Sequence, residues 1–254
     1  MKVIILAAGK GSRLGTLTND KPKCMLKLFN ETLIEKQIKI FHSYNINDIT
    51  IVTGYRSEVI DIPDVNYVKN KNYETTNINE SLFCALEPSS SPVLVTYADI
   101  VFGQKIIQQM LEITDGIGLA VNLNWKKYYQ NRTSHPLSEA ENVLVENGRI
   151  IQIRKNISKS LENQQIGEFL GIMMLSSEHV KILLERYSYL KKNHIGTFHN
   201  SSSLSNAYMT DMLQEIISCG INVNPIFTEE KWCEIDTTED LKNAEKSINK
   251  FELE

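Results

Sequence analysis

The hydrophobic pattern switches repeatedly between a strand period and a helix period. Val3 to Leu6 is an unbroken apolar run rich in β-branched residues, which predicts a strand buried on both faces. Leu33 to Ser43 places Leu33, Ile34, Ile38 and Phe41 at helical spacing, with polar Gln37 among them. Asn45-Ile46-Asn47-Asp48 reads as a turn, and Ile49 to Thr53 as a second strand closed by Gly54-Tyr55. Strand, helix and strand in that order predict a right-handed βαβ unit and a parallel sheet. Val65 to Val68 is a short third strand, and Asn77 is the N-cap of a helix running to Leu86. Pro92 to Tyr97, Ile117 to Leu123 and Glu168 to Leu175 are further strands. Val143-Leu144-Val145 and Arg149 to Ile153 flank Asn147-Gly148, a strong hairpin signal. Helices are expected over Glu178 to Leu190 and Leu204 to Ser218, and a mobile polar loop over residues 154–166. Trp232 opens a last short strand, leading to a helix capped by Asp236 or Thr237, with Asp240 completing a capping box.

The first strand ends in Ala7-Ala8-Gly9, where side chains nearly vanish. Gly9-Lys10-Gly11-Ser12-Arg13 and Lys21-Pro22-Lys23 follow. Bare backbone can approach a polyanion closely, its N–H groups point at phosphate oxygens, and the cations neutralise charge. A tight turn with solvated cations is the plain alternative. The spacing is not a Walker loop, because no Gly-Lys-Ser/Thr follows four spacer residues. Nor is it the dinucleotide fingerprint, because the third Gly is out of place and Pro22 sits where a helix would continue.

Composition narrows the ligand. The chain of 254 residues fits one large α/β domain or at most two small ones, with ample length for a full core. Net charge is −4 without blocks of like charge, so nothing suggests a nucleic-acid footprint. Cations clustered at the N-terminus of a mildly acidic chain favour a small anionic ligand. Cys24, Cys84, Cys219 and Cys233 form no C-x-x-C pair, and no signal peptide or membrane-spanning run is visible. Free thiols in the cytoplasm are expected. The five histidines have no ligand spacing and are read as structural or surface residues.

Several polar clusters lie downstream. Asn77 and Ser81 suit either helix capping or reading a base edge, since they offer donors and acceptors. Asp99, just past a central strand, sits where open α/β sheets bind ligands, or else caps a helix at 103–112. Trp125, Tyr129 and Arg132 stand among further aromatic and basic residues. They read either as a site holding an ammonium by cation–π attraction or as rings packed beneath a loop.

Leu6-Ala7-Ala8-Gly9-Lys10-Gly11-Ser12-Arg13 with Pro22-Lys23 resembles the opening signature of the nucleotidyltransferase superfamily, which includes sugar-1-phosphate nucleotidyltransferases and phosphocholine cytidylyltransferases. Trp232-Cys233-Glu234-Ile235-Asp236-Thr237-Thr238-Glu239-Asp240-Leu241 is similar to its C-terminal block, so the resemblance spans residues 3 to 245. It implies an α/β fold, a Rossmann-like three-layer sandwich with a mostly parallel mixed central sheet and a small β-hairpin insertion, in one domain over 1–254. It implies Mg2+ held by Asp99 and Asp236; the Asp-x-Asp of many relatives is here Asp99-Ile100-Val101, lacking the second acid. It also implies catalytic roles for Lys23 and Arg13 at the phosphates, and contacts with the nucleotide from Leu6, Ala7, Ala8, Gly9, Gly11, Ser12, Asn77, Ser81 and Ala98.

The cytidylyltransferase branch has a similar Trp-x-x-x-Tyr-x-x-Arg arrangement, here Trp125, Tyr129 and Arg132. With Glu168 of Glu-Phe-Leu-Gly, Asp211 of Tyr-x-x-Asp-x-Leu, and Glu234, these residues are expected at the acceptor. The implied reaction transfers CMP from CTP to a small amine-bearing acceptor of the phosphocholine, 2-aminoethylphosphonate or phosphoglutamine type, for decoration of surface polysaccharides or lipids. A sugar-1-phosphate nucleotidyltransferase using UTP or dTTP is the alternative, and a non-catalytic nucleotide-binding relative is a third. Together Arg13, Lys23, Asp99 and Asp236 argue against the third, because binding alone does not require the metal acids. No nucleic-acid or membrane partner is expected, and oligomeric state is open, a homodimer being one option.

Overall fold

A computed structural model describes residues 1–130 and 132–248. The strands are β1 (Lys2–Ala7), β2 (Lys27–Leu28), β3 (Glu31–Thr32), β4 (Asp48–Thr53), β5 (Asn66–Lys69), β6 (Val93–Tyr97), β7 (Ile100–Phe102), β8 (Ile117–Asn122), β9 (Glu141–Glu146), β10 (Arg149–Lys155), β11 (Gln164–Leu175), β12 (Val223–Phe227) and β13 (Trp232–Glu234). The helices are α1 (Leu33–Ser43), α2 (Ile78–Ala85), α3 (Gln104–Leu111), α4 (Ser177–Asn193), α5 (Met209–Ser218) and α6 (Thr238–Ile248).

Among the described residues, nine strands form one mixed sheet in the order β10-β9-β11-β6-β1-β4-β5, with β8 on β11 and β12 on β8. β1 lies at its centre, parallel to both β4 and β6. Its alternation explains the unbroken apolar run. Val3, Ile5 and Ala7 enter a core with Ile34, Ile38 and Phe41 of α1 and Ile106, Ile107 and Met110 of α3. Ile4 and Leu6 enter the opposite core with residues of α2, α4 and α5. Helices thus cover both sheet faces, giving the three-layer α/β architecture.

The β9–β10 hairpin turns through Asn147 and Gly148 with φ of 50° and 74°, the left-handed pair that a tight hairpin turn demands. One edge of β11 pairs first with β9 and then with β6, while the other edge carries β8. The change of partner falls at Gly171, whose φ is +75° and where a Cβ would lie 2.7 Å from the Tyr97 ring. The glycine therefore lets β11 bend closely over the end of β6.

Three expectations shift. Residues 154–166 are not all loop, because β10 runs to Lys155 and β11 begins at Gln164. The helix expected from Leu204 is split into a 3-10 turn over Leu204–Asn206 and α5, since the Ser203 hydroxyl caps the turn and Ala207 and Tyr208 are extended. Asp99 caps no helix: β7 follows it, and α3 starts after Gly103.

Candidate active site

A cleft of about 370 Å³ opens at the C-terminal ends of β1 and β6. Leu6, Ala7, Ala8, Gly9, Gly11, Ser12, Arg13 and Lys23 form one wall. A Cβ on Gly9 would meet nothing within 4 Å, so its backbone faces open space. Gly11 has φ +69°, and a Cβ there would sit 3.0 Å from Lys23 Cβ, so the two ends of the loop touch. The far part of the loop is tied down by Tyr55, whose hydroxyl donates to the carbonyls of Thr18 (3.0 Å) and Asn19 (2.8 Å).

Lys23 Nζ bridges Asp99 Oδ2 and Asp236 Oδ1, and Arg13 pairs with Asp236 Oδ2. Burial opposes the charge on Lys23, but Asp99 and Asp236 outweigh it and raise its pKa. Burial likewise opposes the charge on Asp236, and the nearby Lys23 and Arg13 hold its pKa below the usual carboxylate value. Asp236 is fixed by its own chain: the Asp240 carboxylate accepts from the backbone N–H of Asp236 (3.1 Å) and Thr237 (2.8 Å), while the Thr237 hydroxyl caps Asp240 N–H. The capping box expected at Thr237 and Asp240 thus aims the adjacent acid.

His135 was not expected here. It is buried with Nδ1 3.4 Å from Asp236 Oδ2, and burial followed by the Arg132 charge pushes its pKa down to about 4. Arg132 Nη2 donates to Nδ1 at 3.0 Å, so the neutral imidazole carries its proton on Nε2, towards Glu234.

The other end of the cleft is acidic and aromatic. Tyr129 donates its hydroxyl to Glu168 Oε1, while Glu168 Oε2 is buried without a hydrogen-bond partner. Burial pushes the Glu168 pKa up to about 8. Glu141 accepts from the Tyr97 hydroxyl at 3.0 Å, and burial lifts its pKa to about 7. Glu234 belongs to the first centre, beside Asp236, and is raised well above the carboxylate range by burial and by Asp236 and Asp99. Lys155 pairs with Glu139 at 2.9 Å and lies 4.6 Å over the Tyr208 ring. Sequence reasoning missed Tyr97, Glu141, Lys155 and Tyr208. The polar residue opening the apolar β9 run was the available signal for Glu141.

Not every expected residue reaches the cleft. Tyr129, Glu168, Glu234, Ala98, Asn77 and Ser81 line it. The Asn77 amide caps α2 through Ile78 N–H (2.8 Å) and donates to Asn206 O (3.2 Å), whereas the Ser81 hydroxyl accepts from Asn70 (3.0 Å) and retains its own hydrogen. Trp125 is a correction. It is 4% exposed, packs edge-on behind Tyr129 and donates to Ile166 O. Arg132 is another: Asp240 holds its Nε at 2.7 Å, and its guanidinium stacks 4.7 Å over the Tyr129 ring, so it braces the wall. Asp211 is a third. Its buried carboxylate accepts from Asn200 N–H, the Ser201 hydroxyl and Tyr208 N–H, capping α5 rather than facing the cleft.

Residues 3–145 match the family model of the MobA-like NTP transferase domain. The chain belongs to this nucleotidyltransferase family. The nucleotidyltransferase is 30% identical over 257 residues to CTP:phosphoglutamine cytidylyltransferase of Campylobacter jejuni, covering 95% of this chain and 98% of that one. Its fold is similar to the solved CTP:phosphocholine cytidylyltransferase of Streptococcus pneumoniae, with a TM-score of 0.72, 22% identity, and coverage of 97% and 98% of the two chains. The inositol-1-phosphate CTP transferase of T. maritima is comparable, at TM-score 0.71, 20% identity and coverage of 98% and 96%. Among the described residues, no helix is long and apolar enough to cross a membrane.

The donor set fits a divalent cation, the usual helper of such enzymes. Asp99 Oδ1 is a buried carboxylate oxygen with no hydrogen-bond partner. The Lys23 ammonium already bridges Asp99 and Asp236 as a cation. Ligand atoms of His135, Glu234 and Asp236 lie within 4.8 Å of one another. Hard oxygen donors predominate, as magnesium and similar ions require.

Proposed function

We propose that this nucleotidyltransferase moves CMP from CTP to a phosphate or phosphonate oxygen of a small amine-bearing acceptor, releasing pyrophosphate. The observation that carries this reading is one cleft joining a Lys23–Asp99–Asp236 centre, with Glu234 beside it, to a recess lined by Glu141 and the buried Glu168. The backbone of residues 9–12 and Arg13 hold the triphosphate, and Lys23 stabilises negative charge developing on the α-phosphate. Asp99 and Asp236 would hold Mg2+, which supplies charge neutralisation at the phosphates when bound. In this reading Lys155, which lines the cleft paired with Glu139, receives the acceptor's phosphate. A phosphate nucleophile is already ionised at neutral pH, so no side chain need act as general base. Positioning and charge neutralisation carry most of the rate.

When Glu168 is ionised, its unpaired Oε2 asks for an N–H donor. A quaternary ammonium has none, and the aromatic residue expected to help hold one, Trp125, is buried behind the wall. A primary amine or amide nitrogen suits the recess better, which favours acceptors of the 2-aminoethylphosphonate and phosphoglutamine types over phosphocholine. The full-length likeness to a phosphoglutamine enzyme supports the same choice. Products of this kind suit decoration of surface polysaccharides or lipids, and the four free cysteines suit a reducing cytoplasm.

Pyrophosphate release from CTP, UTP and dTTP across a panel of amine-bearing phosphoryl compounds and sugar 1-phosphates tests the proposal. Turnover with CTP and an amine-bearing acceptor is expected. A preference for UTP or dTTP with a sugar phosphate overturns it. A pH profile tests Glu168 separately. An ammonium binds the ionised form of this acid, whose pKa of about 8 leaves it mostly protonated at pH 7. Acceptor kcat/KM should therefore rise about tenfold per pH unit below that value and level off above it. Glu168→Gln should lower kcat/KM and flatten this rise; an unchanged slope would remove Glu168 from the acceptor site.

A further inference from the structure

Gln37 stands out on α1. Its neighbours Leu33, Ile34, Ile38, Ile40 and Phe41 are buried apolar residues, and Gln37 itself is only 1% exposed. Its Nε2 donates to Tyr97 O at 2.9 Å and to Ile100 O at 2.8 Å. Those two carbonyls flank Ala98-Asp99, so one amide clamps both sides of the turn presenting Asp99. The third restraint comes from the residue just after β13, Ile235, whose N–H donates to Asp99 O at 2.9 Å. Ile235 immediately precedes Asp236, and Glu234 pairs with Ile100 in the β7–β13 ladder. The two acids are therefore mounted on one small frame, with Gln37 as its only support from α1 by side-chain hydrogen bonding among the described residues.

The amide's other end strengthens the case. Gln37 Oε1 is buried with no hydrogen-bond partner. Burying an unpaired acceptor is costly, and packing on an apolar helix face does not require it. The two donated bonds are what the side chain supplies. We propose that Gln37 is a positioning residue: it fixes the Asp99 carboxylate for the divalent cation without touching that cation. This rests on the reading of Asp99 as a metal-holding residue.

Outer partners of metal-holding groups typically contribute 10- to 100-fold in metal affinity. Gln37→Met keeps the length and removes the donors. With CTP bound, Mn2+ binding followed by electron paramagnetic resonance should weaken by about 10- to 100-fold in this variant. CTP affinity measured without metal should stay within about twofold, since a tenfold change would correspond to broader damage to the cleft. A role in packing alone would lower the melting temperature and leave Mn2+ affinity at the wild-type value, and that result overturns the proposal. If Gln37→Met does not fold, Gln37→Asn, whose amide is too short to reach both carbonyls, is measured in the same way. Weakened Mn2+ binding there supports the proposal and unchanged binding overturns it. Asp99→Asn separates the two levels. If it weakens Mn2+ binding while the Gln37 variant does not, only the positioning role fails. If neither variant changes Mn2+ binding, the metal reading of Asp99 falls as well.

Discussion

Replacing Lys23 with alanine is expected to cut turnover by ~10²–10³-fold, the usual effect of removing one preorganised electrostatic contact from a transition state. Stability should respond in a characteristic way. Lys23 lies between Asp99 and Asp236, and its charge helps hold the Asp236 pKa down. A carboxylate with a depressed folded-state pKa contributes stability above its unfolded pKa and loses it as pH falls through the folded value. Without Lys23 most of that contribution disappears at neutral pH, where the two acids face each other. Lys23→Ala should thus melt at a lower temperature than the wild type in metal-free buffer at pH 7, with the gap closing towards acid pH. A divalent cation should restore much of the melting temperature but not the turnover. Thermal melts with and without Mg2+, set beside steady-state rates, check both halves, and wild-type turnover would remove Lys23 from its role.

Asp236→Asn should cost a similar ~10²–10³-fold in turnover for a different reason. The amide keeps the shape but loses the negative charge that pairs with Arg13 and Lys23. The Asp240 cap that positions residues 236 and 237 does not use the Asp236 side chain, so the fold should persist. The variant should need more Mg2+ to reach its half-maximal rate, which a metal titration at saturating CTP reads directly. Normal turnover with a normal metal requirement would show that Asp236 is not part of the metal-holding pair.

The parts of this fold legible in the sequence are those set by local physics. β1 was readable because both of its faces are buried, so its apolar run is continuous. The β9–β10 hairpin was readable because Asn-Gly suits two consecutive residues at positive φ. The site was only partly readable, because long-range pairings decide which polar groups face the cleft. Arg132 looks like a substrate cation until Asp240, 108 residues later, neutralises it. Glu141 and Tyr97 meet only when β9 and β6 follow one another along the same edge of β11. Lys155 falls in the stretch expected as a mobile polar loop, yet it ends β10 and lies over Tyr208 in the lining of the cleft. Asp211 had a readable local explanation: an acid three residues after the helix-capping position closes a first turn, and that is its role.

The most direct measurement is ³¹P NMR of the purified protein with CTP, Mg2+ and 2-aminoethylphosphonate or phosphoglutamine. The expected spectrum gains pyrophosphate together with two mutually coupled phosphorus signals from a new anhydride joining CMP to the acceptor. CTP left intact with every amine-bearing acceptor, while UTP or dTTP is consumed with a sugar 1-phosphate, would contradict the account.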